Sequence, residues 1–132
     1  MNAVHIFARV HILLLLGLAY GCAGAPERYP DTDVIRPDGL ELRSATDLEK
    51  SSGVLWSGTL VFAGEADLID VYEDYVAAMR EIGWVTTHVN IAANKAIATL
   101  RKNGRAAHLE FLALNEIVRA TIRVTRLERP TG

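Results

Sequence analysis

The clearest structural signal in this sequence is the run of residues 96–124, AIATLRKNGRAAHLEFLALNEIVRATIRV. Its Asn103-Gly104 dipeptide is typical of a two-residue hairpin turn, and such a turn fixes which residues face each other. Counting outward pairs apolar residues on one face of the two strands, namely Leu100 with Ala107 and Ala98 with Leu109. On the opposite face Thr99 meets His108. The pattern predicts antiparallel strands with one apolar face.

Two further loops agree with this register. A two-residue loop at Asn115-Glu116 and a four-residue loop from Ala92 to Lys95 again bring apolar residues together. The resulting pairs are Leu109–Ile122, Phe111–Ala120, Ala107–Val124, Ile91–Ala96 and Val89–Ala98. Three loops therefore predict four antiparallel strands that share one core face.

One strand and one helix are predicted before these four strands. Residues 54–63 alternate with a period of two and end at Gly64, which is typical of a half-buried strand. Apolar side chains then recur at steps of three and four, as in a helix: Leu68, Val71, Tyr72, Tyr75, Met79 and Ile82. We expect Asp67 to cap this helix at its start, and Gly83 to end it in a left-handed conformation.

The predicted fold is therefore α+β, with two layers. One helix packs on a mainly antiparallel sheet of four to five strands, in the order strand, helix, four strands. In outline this arrangement is similar to cystatin-like folds.

The region before residue 50 has a different composition. Residues 23–49 contain three of the four prolines and carry a charge of −4, whereas residues 50–128 contain nine acidic and nine basic residues. We expect residues 22–49 to be a polar tether, residues 50–128 the globular domain and residues 129–132 a tail.

An apolar run over residues 12–21 ends at Cys22, the only cysteine in the sequence. The run is too short to span a bilayer but suits the apolar region of a signal peptide. Leu18-Ala19-Tyr20-Gly21-Cys22 resembles the lipobox of bacterial lipoprotein precursors. The resemblance implies that residues 1–21 are a signal peptide and that Cys22 carries a diacylglyceryl group and fatty acyl chains such as palmitate. The alternatives are an uncleaved N-terminal anchor and a buried cysteine in a cytosolic protein.

The residues after Cys22 are Ala23 and Gly24 rather than Asp. In Gram-negative lipoproteins this implies the periplasmic side of the outer membrane, with the cell membrane as the other location. A second resemblance covers about residues 40–128 and is to a group of small bacterial lipoproteins of unknown function. It is carried by residues 57–64, SGTLVFAG, then by Tyr72, Tyr75 and Met79, and then by Gly83-Trp84. No active site comes with it.

Candidate binding residues lie on the sheet face away from the helix. The predicted register aligns His88, Thr99, His108 and Arg123 in one row. Beside it lie a row of Thr86, Arg101, Ala106 and Thr125 and a row of Asn90, Ile97, Glu110 and Thr121. Two strand spacings separate the histidine backbones by about 10 Å, and neither a third histidine nor a free thiol completes a zinc site. We therefore expect no metal or cofactor, and the sequence has no G-x-S-x-G motif or phosphate-binding glycine loop.

Charge is divided between the predicted layers. Residues 54–83 carry −5 and residues 84–129 carry +5. The candidate binding face comprises His88, His108, Arg101, Arg119 and Arg123, with Lys95, Lys102 and Arg105 near the loops. An anionic ligand or an envelope protein fits such a face, whereas nucleic acid does not fit an exported domain without stacking aromatics. The opposing reading is that the charge only keeps the domain soluble.

Three functional hypotheses follow. The first is a lipid-anchored envelope lipoprotein that acts as a non-enzymatic binding or assembly module, docking a partner on the open sheet face or a sheet edge. The second is a small envelope enzyme that uses His88, His108 and Arg123. The third is a structural spacer without specific contacts. We favour the first.

Overall fold

The structure, a computed structural model, describes residues 26–128. They form one helix and a six-stranded antiparallel sheet, which confirms the predicted α+β class and adds a strand to the predicted sheet. The elements in chain order are β1 (Glu41–Ser51), β2 (Val54–Glu65), α1 (Leu68–Glu81), β3 (Val85–Ala92), β4 (Lys95–Lys102), β5 (Arg105–Leu114) and β6 (Ile117–Arg126).

The strands lie in the order β1-β2-β6-β5-β4-β3. Helix α1 therefore connects β2 to the far edge of the sheet, and the following meander returns until β6 pairs with β2. The predicted hairpin registers are confirmed, with Leu100 opposite Ala107 and Leu109 opposite Ile122. From His88 to Ala92 the β3–β4 register is also as predicted, although its turn has two residues because Ala92 pairs with Lys95.

Helix α1 begins and ends as the sequence predicts. The Asp67 side chain accepts a hydrogen bond from the backbone N–H of Asp70 at 3.0 Å. At the other end Gly83 has φ 102°, and the N–H of Trp84 donates to the carbonyl of Met79 at 3.1 Å. This is a Schellman ending, which needs a left-handed residue after the cap. It also turns Trp84 into the core, where it is 1% exposed.

The hydrophobic core lies between α1 and the facing side of the sheet. The alternating residues of β4, β5 and β6 supply one wall and the apolar stripe of the helix supplies the other. The central members are Leu60, Phe62, Tyr75, Met79, Trp84, Ala98, Leu100, Leu109, Phe111, Ala120 and Ile122. Edge-on contact of Tyr72 with Phe111, at 5.7 Å between ring centroids, joins the two walls.

Residues 26–49 differ from the expected polar tether. Val34 and Ile35 are buried in the core, and residues 41–51 form the edge strand β1. The segment before β1 folds on itself, since the N–H of Tyr29 donates to the carbonyl of Val34 at 2.8 Å. A side chain at Gly64 of β2 would come within 2.9 Å of the Gly39 carbonyl, so glycine permits this close approach. This segment has few buried apolar residues, and a buried ion pair between Asp33 and Arg105 also holds it on the core.

Strand β3 contains one departure from the predicted register. A β-bulge lies between Thr86 and His88, so Val85 rather than Thr86 pairs with Arg101. Thr86 instead pairs with Leu100, a core residue. The extra residue shifts the alternation of the strand by one position, which moves Thr86 out of the predicted outer row.

Candidate functional site

The outer sheet face, defined as the side away from α1, carries the predicted central row. His88 pairs with Thr99, Thr99 with His108, and His108 with Arg123. The row continues beyond the prediction, because Arg123 pairs with Thr59 of β2. The neighbouring row of Asn90, Ile97, Glu110 and Thr121 is also in register. The structure thus brings the histidines and Arg123 onto one surface.

Three arginines stand on this outer face. Arg101, Arg119 and Arg123 are exposed, and none forms an ion pair or side-chain hydrogen bond with another residue of the range 26–128. Arg119 and Arg123 lie four residues apart on β6, which separates their backbones by about 13 Å. Arg101 lies two strands away, on β4. The three charges are therefore spread over the face and do not converge on one point.

The two histidines differ in their surroundings. His88 is exposed on the edge strand, whereas His108 is partly buried and its Nδ1 lies 3.5 Å from Thr99 Oγ1. Burial, and then the nearby charge of Arg123, lower the pKa of His108. His108 is therefore neutral at physiological pH and contributes hydrogen-bonding capacity rather than charge to the face. Strand β4 lies between the histidines, and no group of three potential metal ligands is found within residues 26–128.

The basic residues that the sequence placed near the loops each have a partner inside the domain. Lys95 Nζ lies 3.5 Å from a carboxylate oxygen of Glu110. Lys102 donates to the carbonyl of Ile82 at 2.6 Å, at the C-terminus of α1. Arg105 is 1% exposed. The prediction that Arg105 extends the binding face is therefore wrong, because its side chain is buried, whereas the side chains of Lys95 and Lys102 remain 42% and 20% exposed.

Arg105 forms the most elaborate polar contact of the described chain. Its Nη1 donates to Asp33 Oδ1 at 2.9 Å and to the Leu55 carbonyl at 2.9 Å, and its Nη2 donates to Asp33 Oδ2 at 2.6 Å. The guanidinium carbon lies 4.8 Å from the ring centroid of Trp84 and 5.5 Å from that of Trp56. We call Asp33, Trp56, Trp84 and Arg105 the Arg105 cluster.

The Arg105 cluster extends to the edge of the sheet. The Arg126 guanidinium lies 4.8 Å from the Trp56 ring centroid, and its Nη2 donates to Glu49 Oε1 of β1 at 2.9 Å. Arginine and tryptophan therefore alternate from the core to the surface, an arrangement that gains from the attraction between cations and aromatic faces. Because Arg105 is buried and both of its terminal nitrogens donate to Asp33, we assign the cluster a structural role.

Sequence reasoning missed this cluster, although one signal for it was present. The predicted register places Arg105 in line with Ala107 and Leu109, on the core face. A buried arginine requires a buried acceptor. The register could therefore have predicted an acidic partner, but not that Asp33, 72 residues earlier, would be that partner.

A cleft of about 490 Å³ lies between α1 and the N-terminal segment. Ile35, Arg36, Leu40 and Tyr75 are among its lining residues. The Tyr75 hydroxyl is buried and has no hydrogen-bond partner among the described residues. Burial raises the pKa of Tyr75 far above its ordinary value, so the hydroxyl remains protonated. This cleft was not predictable from the sequence, because most of its lining residues belong to the segment expected to be a tether.

Comparison with protein-family models, with curated proteins and with solved structures found no significant match to this chain. The predicted signal peptide over residues 1–21, the lipid attachment site Cys22 and the tail over residues 129–132 lie outside the described residues. Within residues 26–128, no helix has the length and hydrophobicity needed to cross a bilayer.

Proposed function

We propose that this protein is a lipid-anchored envelope lipoprotein whose domain is a non-enzymatic binding module for an acidic protein surface. The anchor is Cys22, and its support is the lipobox-like residues 18–22. The binding surface is the outer sheet face. The observation that carries the binding proposal is that Arg101, Arg119 and Arg123 are exposed there without an acidic partner in the described chain.

The spacing of the arginines favours a protein over a small anion. One phosphate or carboxylate is bound tightly when several donors converge within hydrogen-bonding distance of it. Arg119 and Arg123 are about 13 Å apart at their backbones and belong to a rigid central strand. A surface with several separated carboxylates matches this spacing, and charge complementarity of that kind speeds association and selects partners.

The histidines support binding better than catalysis. A general base is usually oriented by a second polar group and lies within reach of the group that it activates. The only side-chain hydrogen-bond partner of His108 among the described residues is the Thr99 hydroxyl, and His88 lies on the far side of β4. Their role on a binding face is to supply hydrogen bonds between the arginines.

The test is chemical crosslinking in intact membranes, followed by identification of the crosslinked neighbours. We expect the variant Arg101→Glu/Arg119→Glu/Arg123→Glu to lose a neighbour that the parent recovers repeatedly. The matched control is Arg28→Glu/Lys50→Glu/Arg80→Glu, which makes the same change in net charge at exposed positions off the outer face and should retain it. Equal loss in both variants, or no repeated neighbour in the parent, would contradict the proposal.

Single histidine variants test the enzymatic alternative. We expect His88→Ala and His108→Ala to recover the same neighbour as the parent. An envelope enzyme would instead lose its activity with either histidine, and that loss would overturn the binding proposal.

The anchor is tested independently. The variant Cys22→Ser should retain its leader and lose acylation, as mass spectrometry of the amino terminus would report. A parent protein with an unmodified Cys22 thiol would disprove the anchor, and it would leave the test of the outer face unaffected.

A further inference from the structure

The two edges of the sheet differ in chemistry. The β1 edge carries five charged residues in eleven positions, Glu41, Arg43, Asp47, Glu49 and Lys50. Its pairing with β2 has three register shifts, and Asp47 has a left-handed φ of 55°. Charges and irregular pairing are the features by which edge strands resist pairing with other chains. The β1 edge is therefore protected.

The β3 edge has little of this protection. Its eight residues, VTTHVNIA, include no lysine, arginine, aspartate or glutamate. Its one bulge lies near its start, and the pairing with β4 is regular from His88 to Ala92. No strand of residues 26–128 covers its outer edge. A regular, uncharged edge presents unpaired backbone groups that can accept another strand.

Apolar side chains accompany this open edge. Val89 is 48% exposed and Ile91 is 49% exposed. Both lie on the helix side of the sheet, because they pair with the buried residues Ala98 and Ala96. Strand β3 therefore presents backbone N–H and C=O groups that no other strand pairs with, and exposed apolar side chains lie beside them.

We infer that β3 pairs antiparallel with β3 of a second copy of this chain, which joins the two sheets into one of twelve strands. If the two-fold axis passes through Asn90, Val89 of each copy lies opposite Ile91 of the other, and Asn90 lies opposite Asn90. Apolar residues then meet apolar residues on the helix side, and a polar amide pairs with itself on the outer side. No like charges meet at any position, because the strand has no charged residue.

Self-pairing fits β3 better than pairing with an unrelated strand. A strand without charge has no electrostatic means of selecting a foreign partner, whereas the two-fold register matches its own apolar residues to each other. A short pair of strands buries less surface than the 1,200 Å² or more of a typical stable interface. The dimer therefore belongs to the small, transient class of interfaces.

Crosslinking through a single thiol tests the pairing. In the full-length Cys22→Ser chain, Asn90→Cys supplies the only thiol, and a short bifunctional maleimide should join two chains through it. The matched control is Thr46→Cys, which is exposed on the opposite edge strand. We expect a dimer from Asn90→Cys at least tenfold faster than from Thr46→Cys. Equal rates, no dimer, or a product with a different protein would overturn the inference.

A charge placed on the edge tests the same contact without depending on a thiol position. Ile91→Lys should reduce the Asn90→Cys crosslink at least tenfold, whereas Leu42→Lys on β1 should leave it unchanged. Both replaced residues are partly exposed, at 49% and 39%, so both variants should fold, as circular dichroism would verify. An unchanged crosslink in folded Ile91→Lys would overturn the inference. Reversal of the outer-face arginines should not affect it, so failure of the proposed function is distinguishable.

Discussion

Asp33 and Arg105 are 72 residues apart in the chain and form a two-pronged ion pair, with Nη1–Oδ1 and Nη2–Oδ2 distances of 2.9 and 2.6 Å. Arg105 belongs to a central strand and Asp33 to the segment before β1. The pair therefore holds the N-terminal segment on the core, against the sheet that α1 also covers.

Loss of either partner should destabilise the protein. Removing one member of a buried ion pair leaves an uncompensated charge or unfilled acceptors, at a cost of about 3–5 kcal/mol. We expect Asp33→Asn to lower the free energy of unfolding by about 3 kcal/mol in urea denaturation. Arg105→Met should cost a similar amount, whereas Arg101→Met on the neighbouring strand should change it by less than about 0.5 kcal/mol. Similar costs at Arg105 and Arg101 would contradict the structural role of the cluster.

The ion pair should also make stability depend on acid. Burial by itself raises the pKa of Asp33, but the hydrogen bonds and the charge of Arg105 outweigh it and hold the pKa below the ordinary 3.8. The contribution of Asp33 is therefore complete above the pKa of the unfolded chain and is lost as the pH falls through the lower pKa of the folded protein.

The measurement is urea denaturation of the parent and of Asp33→Asn from pH 7 to pH 2. We expect the difference in unfolding free energy to be constant above about pH 5 and to shrink below about pH 4. A difference that is unchanged at pH 2 would show that the Asp33 carboxylate is not the group responsible.

The end of α1 should be sensitive to the residue at position 83. Gly83 has φ 102°, a conformation that β-branched residues adopt only with strain. We expect Gly83→Val to lower the melting temperature substantially, with a cost of about 1–2 kcal/mol or more. Gly83→Asn is the matched control, since asparagine tolerates left-handed conformations and should cost less. Equal losses would point to the space near Lys102 rather than to the backbone.

Removal of the Tyr75 hydroxyl should not destabilise the protein. The hydroxyl is buried without a partner in the described chain, and an unsatisfied buried polar group costs about 1–3 kcal/mol. Tyr75→Phe should therefore leave the free energy of unfolding unchanged or raise it. Val71→Ala, which truncates a buried side chain of the same helix, should lower it. A clear loss in Tyr75→Phe would mean that the cleft supplies a hydrogen-bond partner.

The hairpins and the helix were predictable because local residues determine them. Asn103-Gly104 sets the β4–β5 turn, and the register of Leu100 with Ala107 follows from it by counting. Asp67 and Gly83 likewise carry their own signals for the two ends of α1. The row from His88 to Arg123 was predictable for the same reason. The hairpin turns set which residues pair on neighbouring strands, and side chains of paired residues lie on the same face of the sheet.

The remaining features depend on contacts between distant parts of the chain. Strand β1 has almost no buried residue and lacks an apolar alternation, so only its pairing with β2 makes it a strand. The bulge at Thr87 shifts Thr86 without a sequence signal such as glycine. Asp33 lies among prolines and other acidic residues, and its burial is evident only once Arg105 is placed beside it.

If Cys22 is acylated as proposed, the early start of the packed fold limits the distance between the domain and the bilayer. Arg28 already bridges to Ile35, and only five residues separate it from Cys22. Fully extended, the segment from Cys22 to Arg28 spans roughly 20 Å, whereas a free chain from Cys22 to residue 50 would span about 100 Å. With Cys22 acylated as proposed, the domain stays within about 20 Å of the lipid surface, and a binding partner must come within that distance of the membrane.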